Sequence, residues 1–323
     1  MKFFYRLFFT AFFFFPLITF SQQKDTLIKK LDSLSRKTDS AGRQINNTSP
    51  AAYNENTKLT FNSYFTLLGS DLKQEFTKPF HMTKKDWRNF AFFAAPTFVL
   101  GFADKSIQKS AVKFTSNKTG VQRTSSYITK FGGIYEMYTL ATLGAYGIVF
   151  KNQKLKTTTL LATQAYITGG ALESVLKYLS GRTRPSFYDA NAIARPKFLG
   201  PFSKTIKDAN GKKVYSSFPS GHTTVAFAAA TVFASEYSNY IIVPIIAYSF
   251  STLVALSRIT ENKHWTTDVV VGAAIGYLAG KNVVNNYHRY AKLKAPNQKK
   301  NSVSFNLNII NDQLVPGLVY KFK

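Results

Sequence analysis

The sequence predicts an all-α bundle of about six core helices, followed by a short C-terminal β-hairpin. Three observations carry this. From Trp87 onward, apolar segments recur at about 90–103, 134–150, 157–176, 223–235, 240–257 and 268–284, and their lengths and Ala/Gly content suit helices better than strands. No internal repeat and no sustained period-2 alternation precede the tail. There, Val303, Phe305, Leu307 and Ile309 alternate with polar residues, Asn311-Asp312 offers a turn, and Leu318-Val319-Tyr320 forms a second short strand.

In chain order, residues 1–21 come first. Lys2 and Arg6 flank the start of an apolar, aromatic-rich run from Phe3 to Phe20, which exits into Ser21-Gln22-Gln23-Lys24. A charged start, an apolar core and a polar exit read as a secretion signal. Phe20 is large for a residue before a cleavage site, so a retained N-terminal anchor stays open beside it. Residues 22–85 are polar. Leu27, Ile28, Leu31 and Leu34 predict a short amphipathic helix, Asp39 to Asn56 a linker, and the segment reads as a solvated spacer. The helical domain is expected over 86–290, and a basic linker with the hairpin over 291–323.

Composition narrows the function. The 323 residues hold 42 Lys+Arg against 16 Asp+Glu, a formal net charge of +26, which favours an anionic partner. The basic residues are scattered in loops and at both ends with no nucleic-acid-binding motif, so a membrane surface or a phosphate ligand ranks above nucleic acid. There is no cysteine, which excludes disulfides, thiolate metal sites and cysteine nucleophiles. Most apolar runs fall short of the about 20 residues a spanning helix needs, Gln164, Glu173 and Glu236 interrupt them, and mean hydropathy is −0.11. The basic loop Lys151 to Lys156 prefers the cytoplasm, which would turn the opposite helix ends to the periplasm. A cleaved signal followed by two helices does not reach that topology, so spanning and water-soluble bundles both stay open.

Three stretches carry chemistry. Lys177-Tyr178-Leu179-Ser180-Gly181-Arg182-Thr183-Arg184-Pro185 closes an apolar helix. Pro185 disfavours helical backbone at Arg184 and Gly181 permits a turn, so Lys177 and Arg184 can reach one pocket; the plainer reading is a basic helix terminus. Ser216 to Thr224 runs through Pro219-Ser220-Gly221-His222 into a helix. Its turn presents amides to an anion, with the Ser220 hydroxyl, a close backbone approach at Gly221, and His222 as a proton donor. Ser257-Arg258 then precedes His264 and Asp268, whose i,i+4 spacing puts them on one helix face, where the carboxylate can orient the ring beside the Arg258 fork.

The ordered set Lys-x6-Arg-Pro, Pro-Ser-Gly-His and Ser-Arg-x5-His-x3-Asp resembles the type 2 phosphatidic acid phosphatase (PAP2) superfamily. That superfamily also includes bacterial class A acid phosphatases and vanadium haloperoxidases. The resemblance covers about 90–285 and is complete at Lys177, Arg184, Pro185, Pro219, Ser220, Gly221, His222, Ser257, Arg258, His264 and Asp268. It implies a metal-independent, cofactor-free phosphatase of the bacterial envelope that acts on a phosphorylated lipid or small phosphate ester, with no obligate protein partner. Lys177, Arg184, Arg258, Ser220 and Gly221 would bind phosphate. His264 would attack phosphorus with Asp268 holding its ring, and His222 would serve as acid and then base. Lipid phosphates and diphosphates lead as substrates, with a soluble periplasmic acid phosphatase as the alternative. A vanadate-dependent haloperoxidase and a non-catalytic anion binder rank lower. His81 and His288 lie outside the motifs and are expected at the surface.

Overall fold

The computed structural model describes residues 23–37, 57–187, 194–201, 215–294, 302–310 and 313–321. Residues 1–21, the linker 39–56 and the turn at 311–312 lie outside them. Nine α-helices run through the described residues: α1 Gln23–Arg36, α2 Phe61–Thr77, α3 Lys84–Ser116, α4 Thr119–Thr129, α5 Ile134–Val149, α6 Gln153–Ser180, α7 Gly221–Glu236, α8 Ile242–Thr260 and α9 Thr266–Lys294. All six expected core segments are helices. Helices α3 and α6 begin before their apolar runs, where polar residues cap them: Thr83 closes a capping box with Asp86 on α3, and Asn152 accepts from the Leu155 amide on α6. Ser302–Ile310 (β1) and Gln313–Lys321 (β2) pair antiparallel, with Ile310 opposite Gln313.

At the centre stands α7. Its Ala, Thr and Val side chains are buried almost all round, and α6, α8 and α9 pack on it. On α9, Gly272, Gly276 and Gly280 form a stripe of small residues at i,i+4 spacing where the two backbones meet. A Cβ at Gly276 would stand 2.2 Å from the Thr224 carbonyl oxygen. The core continues through Leu161, Ala162, Ala165, Ala228, Val232, Val283, Val284 and Tyr287.

The polar segment before residue 86 is more than a spacer. Leu31, Leu59 and Leu67 join the core cluster, and α2 lies against α6 and α9. Much of its polar face is hydrogen-bonded inside the fold. Asn286 Nδ2 donates to Asp71 at 2.8 Å, Gln74 Nε2 to Asn286 at 3.1 Å, and Arg289 to Gln74 at 3.1 Å. The polarity that suggested solvent is a buried hydrogen-bond network. His81 is exposed, as expected, whereas His288 is only 2% exposed and bonds Glu236 at 2.7 Å. That expectation is corrected: His288 ties the C-terminal half of α9 to the end of α7.

Two helices, α3 and α8, are long and apolar enough to cross a membrane, and only 6% and 28% of their apolar windows are buried in the fold. Phe92, Phe98 and Phe102 on α3 and Ile242, Ile245 and Ile246 on α8 are all exposed. Surfaces of this kind mark contact with lipid or with another protein.

Candidate active site

Four helix ends meet at one pole of the bundle: the C-termini of α6 and α8 and the N-termini of α7 and α9. Helix α6 stops at Gly181, whose φ of 53° is left-handed and whose amide bonds the Lys177 carbonyl. Beyond it Arg182 and Arg184 leave the helix. The next segment, at 215–220, leads into α7 through Ser216, Ser217 and Ser220, so all three motifs converge.

The cations come first. The Lys177 ammonium ion-pairs with Glu173 one turn back and lies over the start of α7, 3.2 Å from where a Cβ on Gly221 would stand. Arg258, 5% exposed, donates to Thr129 of α4 and to Glu261, each at 2.5 Å. Arg184 donates to the Ser216 carbonyl and hydroxyl at 3.2 Å and to the Lys263 carbonyl at 3.4 Å.

Two imidazoles share this field. Burial above all, then the charges of Arg258, His264, Lys177 and Arg184, pull His222 down to about 3. Burial, then Arg184, Arg258 and Lys177, hold His264 well below its ordinary value. Both rings are therefore neutral at pH 7, and the same three cations bear on each. His264 Nδ1 donates to the Ser217 carbonyl at 2.7 Å, which leaves the lone pair on Nε2.

Two expected roles change. Asp268 stands 3.6 Å from His264 Nδ1, beyond a hydrogen bond, because its oxygens are taken by Arg182, by Ser217 Oγ at 2.5 Å and by the Trp265 amide at 2.9 Å. It orders the loop that carries His264 and does not grip the ring directly. Ser220 is fully buried, with its hydroxyl on Thr223 at 2.9 Å and its amide on the Asp268 carbonyl at 3.0 Å. It fastens α7 to α9, with its hydroxyl turned to Thr223.

The motifs leave several working residues unmarked. Arg182, read as helix-end charge, is buried between Asp268 and Asp104 of α3, the latter at 2.7 Å. Asp104 also accepts from the Thr267 amide at 3.1 Å and its hydroxyl at 2.6 Å. A lone carboxylate just past the apolar run 90–103 was the available signal. Glu173, noted only as an interruption of an apolar run, and Glu261 carried none.

Residues 158–291 match the family model described as PAP2 superfamily. That match, which spans less than half of the chain, identifies residues 158–291 as PAP2-like. Lipid A 1-phosphatase of Porphyromonas gingivalis is 31% identical over 161 residues, 48% of this chain and 30% of that protein. The Arabidopsis thaliana protein named Probable lipid phosphate phosphatase 4 is 35% identical over 130 residues, 34% of this chain and 41% of that one. The chain thus spans less than half the length of either relative. The crystal structure of a transmembrane PAP2 type phosphatidylglycerolphosphate phosphatase from Bacillus subtilis overlaps at a TM-score of 0.42, with 20% identity over 65% of this chain and 96% of that one. That overlap is too loose to bear on the site.

Proposed function

We propose that this chain is a metal-independent phosphatase of lipid phosphate monoesters or diphosphates, working through a phosphohistidine. The observation that carries the reading is that Lys177, Arg184 and Arg258 act together on both His222 and His264. Three cations around two neutral imidazoles suit a tetrahedral dianion, and they supply the charge stabilisation that a metal ion provides in other phosphoryl-transfer sites.

In the first step, His264 Nε2 attacks phosphorus and the ester oxygen leaves with a proton from His222. In the second, His222 takes a proton from water, the resulting hydroxide attacks the phosphohistidine, and phosphate departs with His264 restored. A bound dianion offsets the three cations, so His222 gains its proton together with the substrate. Asp268, Ser217 and Arg182 hold the nucleophile's loop throughout.

The lipid assignment draws on the exposed apolar faces of α3 and α8 and on the names of the relatives. The pole opposite the site carries Lys151, Lys154 and Lys156 at the start of α6 and Lys292 and Lys294 at the end of α9. The positive-inside rule then turns the catalytic pole to the periplasm. A panel of phosphatidate, polyprenyl diphosphate, lipid A and a small aryl phosphate, run in detergent with chelator present, tests the reading. Turnover of the lipid phosphates with chelator is expected. Hydrolysis of the aryl phosphate alone would favour the acid phosphatase, and loss of all turnover on chelation would overturn metal independence.

A further inference from the structure

The Gly221 turn was expected to let a phosphate oxygen approach the backbone at the start of α7. A carboxylate is there instead. Glu173 Oε1 lies 2.6 Å from where a Cβ on Gly221 would stand, so a larger residue there would push the carboxylate aside, and the same oxygen pairs with the Lys177 ammonium. Glu173 is 6% exposed, and Ser174 Oγ donates to its other oxygen at 3.3 Å. The contact therefore belongs to the site and is no solvated surface pair.

We propose that Glu173 is an internal stand-in for phosphate, a positioning residue that sets how tightly the site holds its anion. In the empty site its carboxylate neutralises Lys177 and sits against the helix N-terminus that an anion favours. An incoming phosphate must share or displace it. Lysine has three donors, so Lys177 can turn one to phosphate while it keeps Glu173, but the two anions then repel across the Gly221 backbone. The cost falls on the bound ground state and on the inorganic phosphate left after hydrolysis. Arg184, whose hydrogen bonds go to neutral acceptors on Ser216 and Lys263, feels Glu173 only at longer range and is less offset by it. Glu173 thus discounts one cation of the three and lets product leave a site that would otherwise retain it.

This inference rests on the phosphatase reading above, and its test separates the two. Inorganic phosphate and vanadate are titrated as inhibitors against wild type, Glu173→Gln, Lys177→Met and the double variant, all in detergent. The expected result is that Glu173→Gln binds both anions about tenfold more tightly than wild type, as fits the loss of one charged competitor. In the Lys177→Met background the same change is expected to tighten binding by a smaller factor, because the ion pair it would release is already gone. A carboxylate that merely supported the fold would move affinity the other way. Unchanged or weaker phosphate inhibition in Glu173→Gln, with a melting temperature like wild type, would overturn the proposal and leave the phosphatase reading standing. Should Glu173→Gln not fold, Glu173→Asp takes its place. Its shorter reach is expected to tighten phosphate binding by a smaller factor, and weaker binding there would overturn the proposal as well. Failure of wild type to bind either anion would sink both.

Discussion

The Nδ1–H of His264 is directed at the carbonyl oxygen of Ser217, 2.7 Å away. A main-chain acceptor thus fixes the tautomer, and the carboxylate at the expected i,i+4 position works one step removed. Asp268→Asn is therefore expected to harm the fold more than the ring's orientation. It leaves the buried Arg182 with Asp104 as its remaining carboxylate and removes an acceptor for Ser217 and Trp265. A loss of about 3 kcal/mol in denaturant unfolding is expected for this broken buried pair. An unchanged midpoint would show that the brace is unimportant.

Replacing the nucleophile separates chemistry from stability. His264→Ala is expected to lower turnover by about 10³-fold or more while phosphate still binds, because the three cations remain. Rapid-quench detection of acid-labile phosphate on the wild-type protein, and its absence in the variant, checks the assignment.

Acid should weaken the fold through the same rings. Unfolded, His222 titrates near 6.5, and folded at about 3. His264 is shifted in the same direction. The unfolded chain consequently binds more protons, so the stability present above pH 6.5 is lost as pH falls toward 3. Each ring contributes a slope of about 1.4 kcal/mol per pH unit. Unfolding followed between about pH 6.5 and 5, before most carboxylates titrate, is expected to show a shallower slope for His222→Asn. Saturating vanadate, which offsets the cations, should flatten the wild-type slope too.

Among the described residues, Arg184 hydrogen-bonds only the Ser216 and Lys263 oxygens and contacts no carboxylate. Arg184→Ala is expected to weaken vanadate binding by about 2–4 kcal/mol, and Arg184→Lys to restore little of it, since an ammonium cannot span Ser216, Lys263 and the ligand at once. Full recovery with lysine would mean that only the charge matters.

Adding a single methyl group tests the central helix pair. Gly276→Ala would push a Cβ to 2.2 Å from the Thr224 carbonyl oxygen and 2.9 Å from the Ala228 amide nitrogen. Separation of α7 from α9 is expected to cost about 1–3 kcal/mol or more. Gly120→Ala, where nothing lies within 4 Å, is the matched control for unfolding.

Much of this was legible in the sequence. The six core helices follow from apolar runs that mark where each helix lies, though several helices run well past them. The three motifs meet because each sits at a helix end and neighbouring helices alternate in direction. What escaped had no periodic signature. Helix α2 buries Ser70, Asp71 and Gln74, residues that read as solvent-facing until α9 presents Asn286 and Arg289 to them. Arg182 looked like any cation at a helix terminus, since its partners lie 78 and 86 residues away. The expected bond between His264 and Asp268 rested on helical spacing, but His264 precedes the first turn of α9, so the i,i+4 geometry does not apply.

The glycine stripe of α9 has a consequence for how such a site could change. Where two main chains touch, there is no side chain left to vary, and the distance between the proton carrier on α7 and the loop before α9 is set by backbone alone. Adaptation to a new headgroup would have to leave that hinge-free seam alone and work through α5 and α8, whose outward residues can be exchanged without disturbing it.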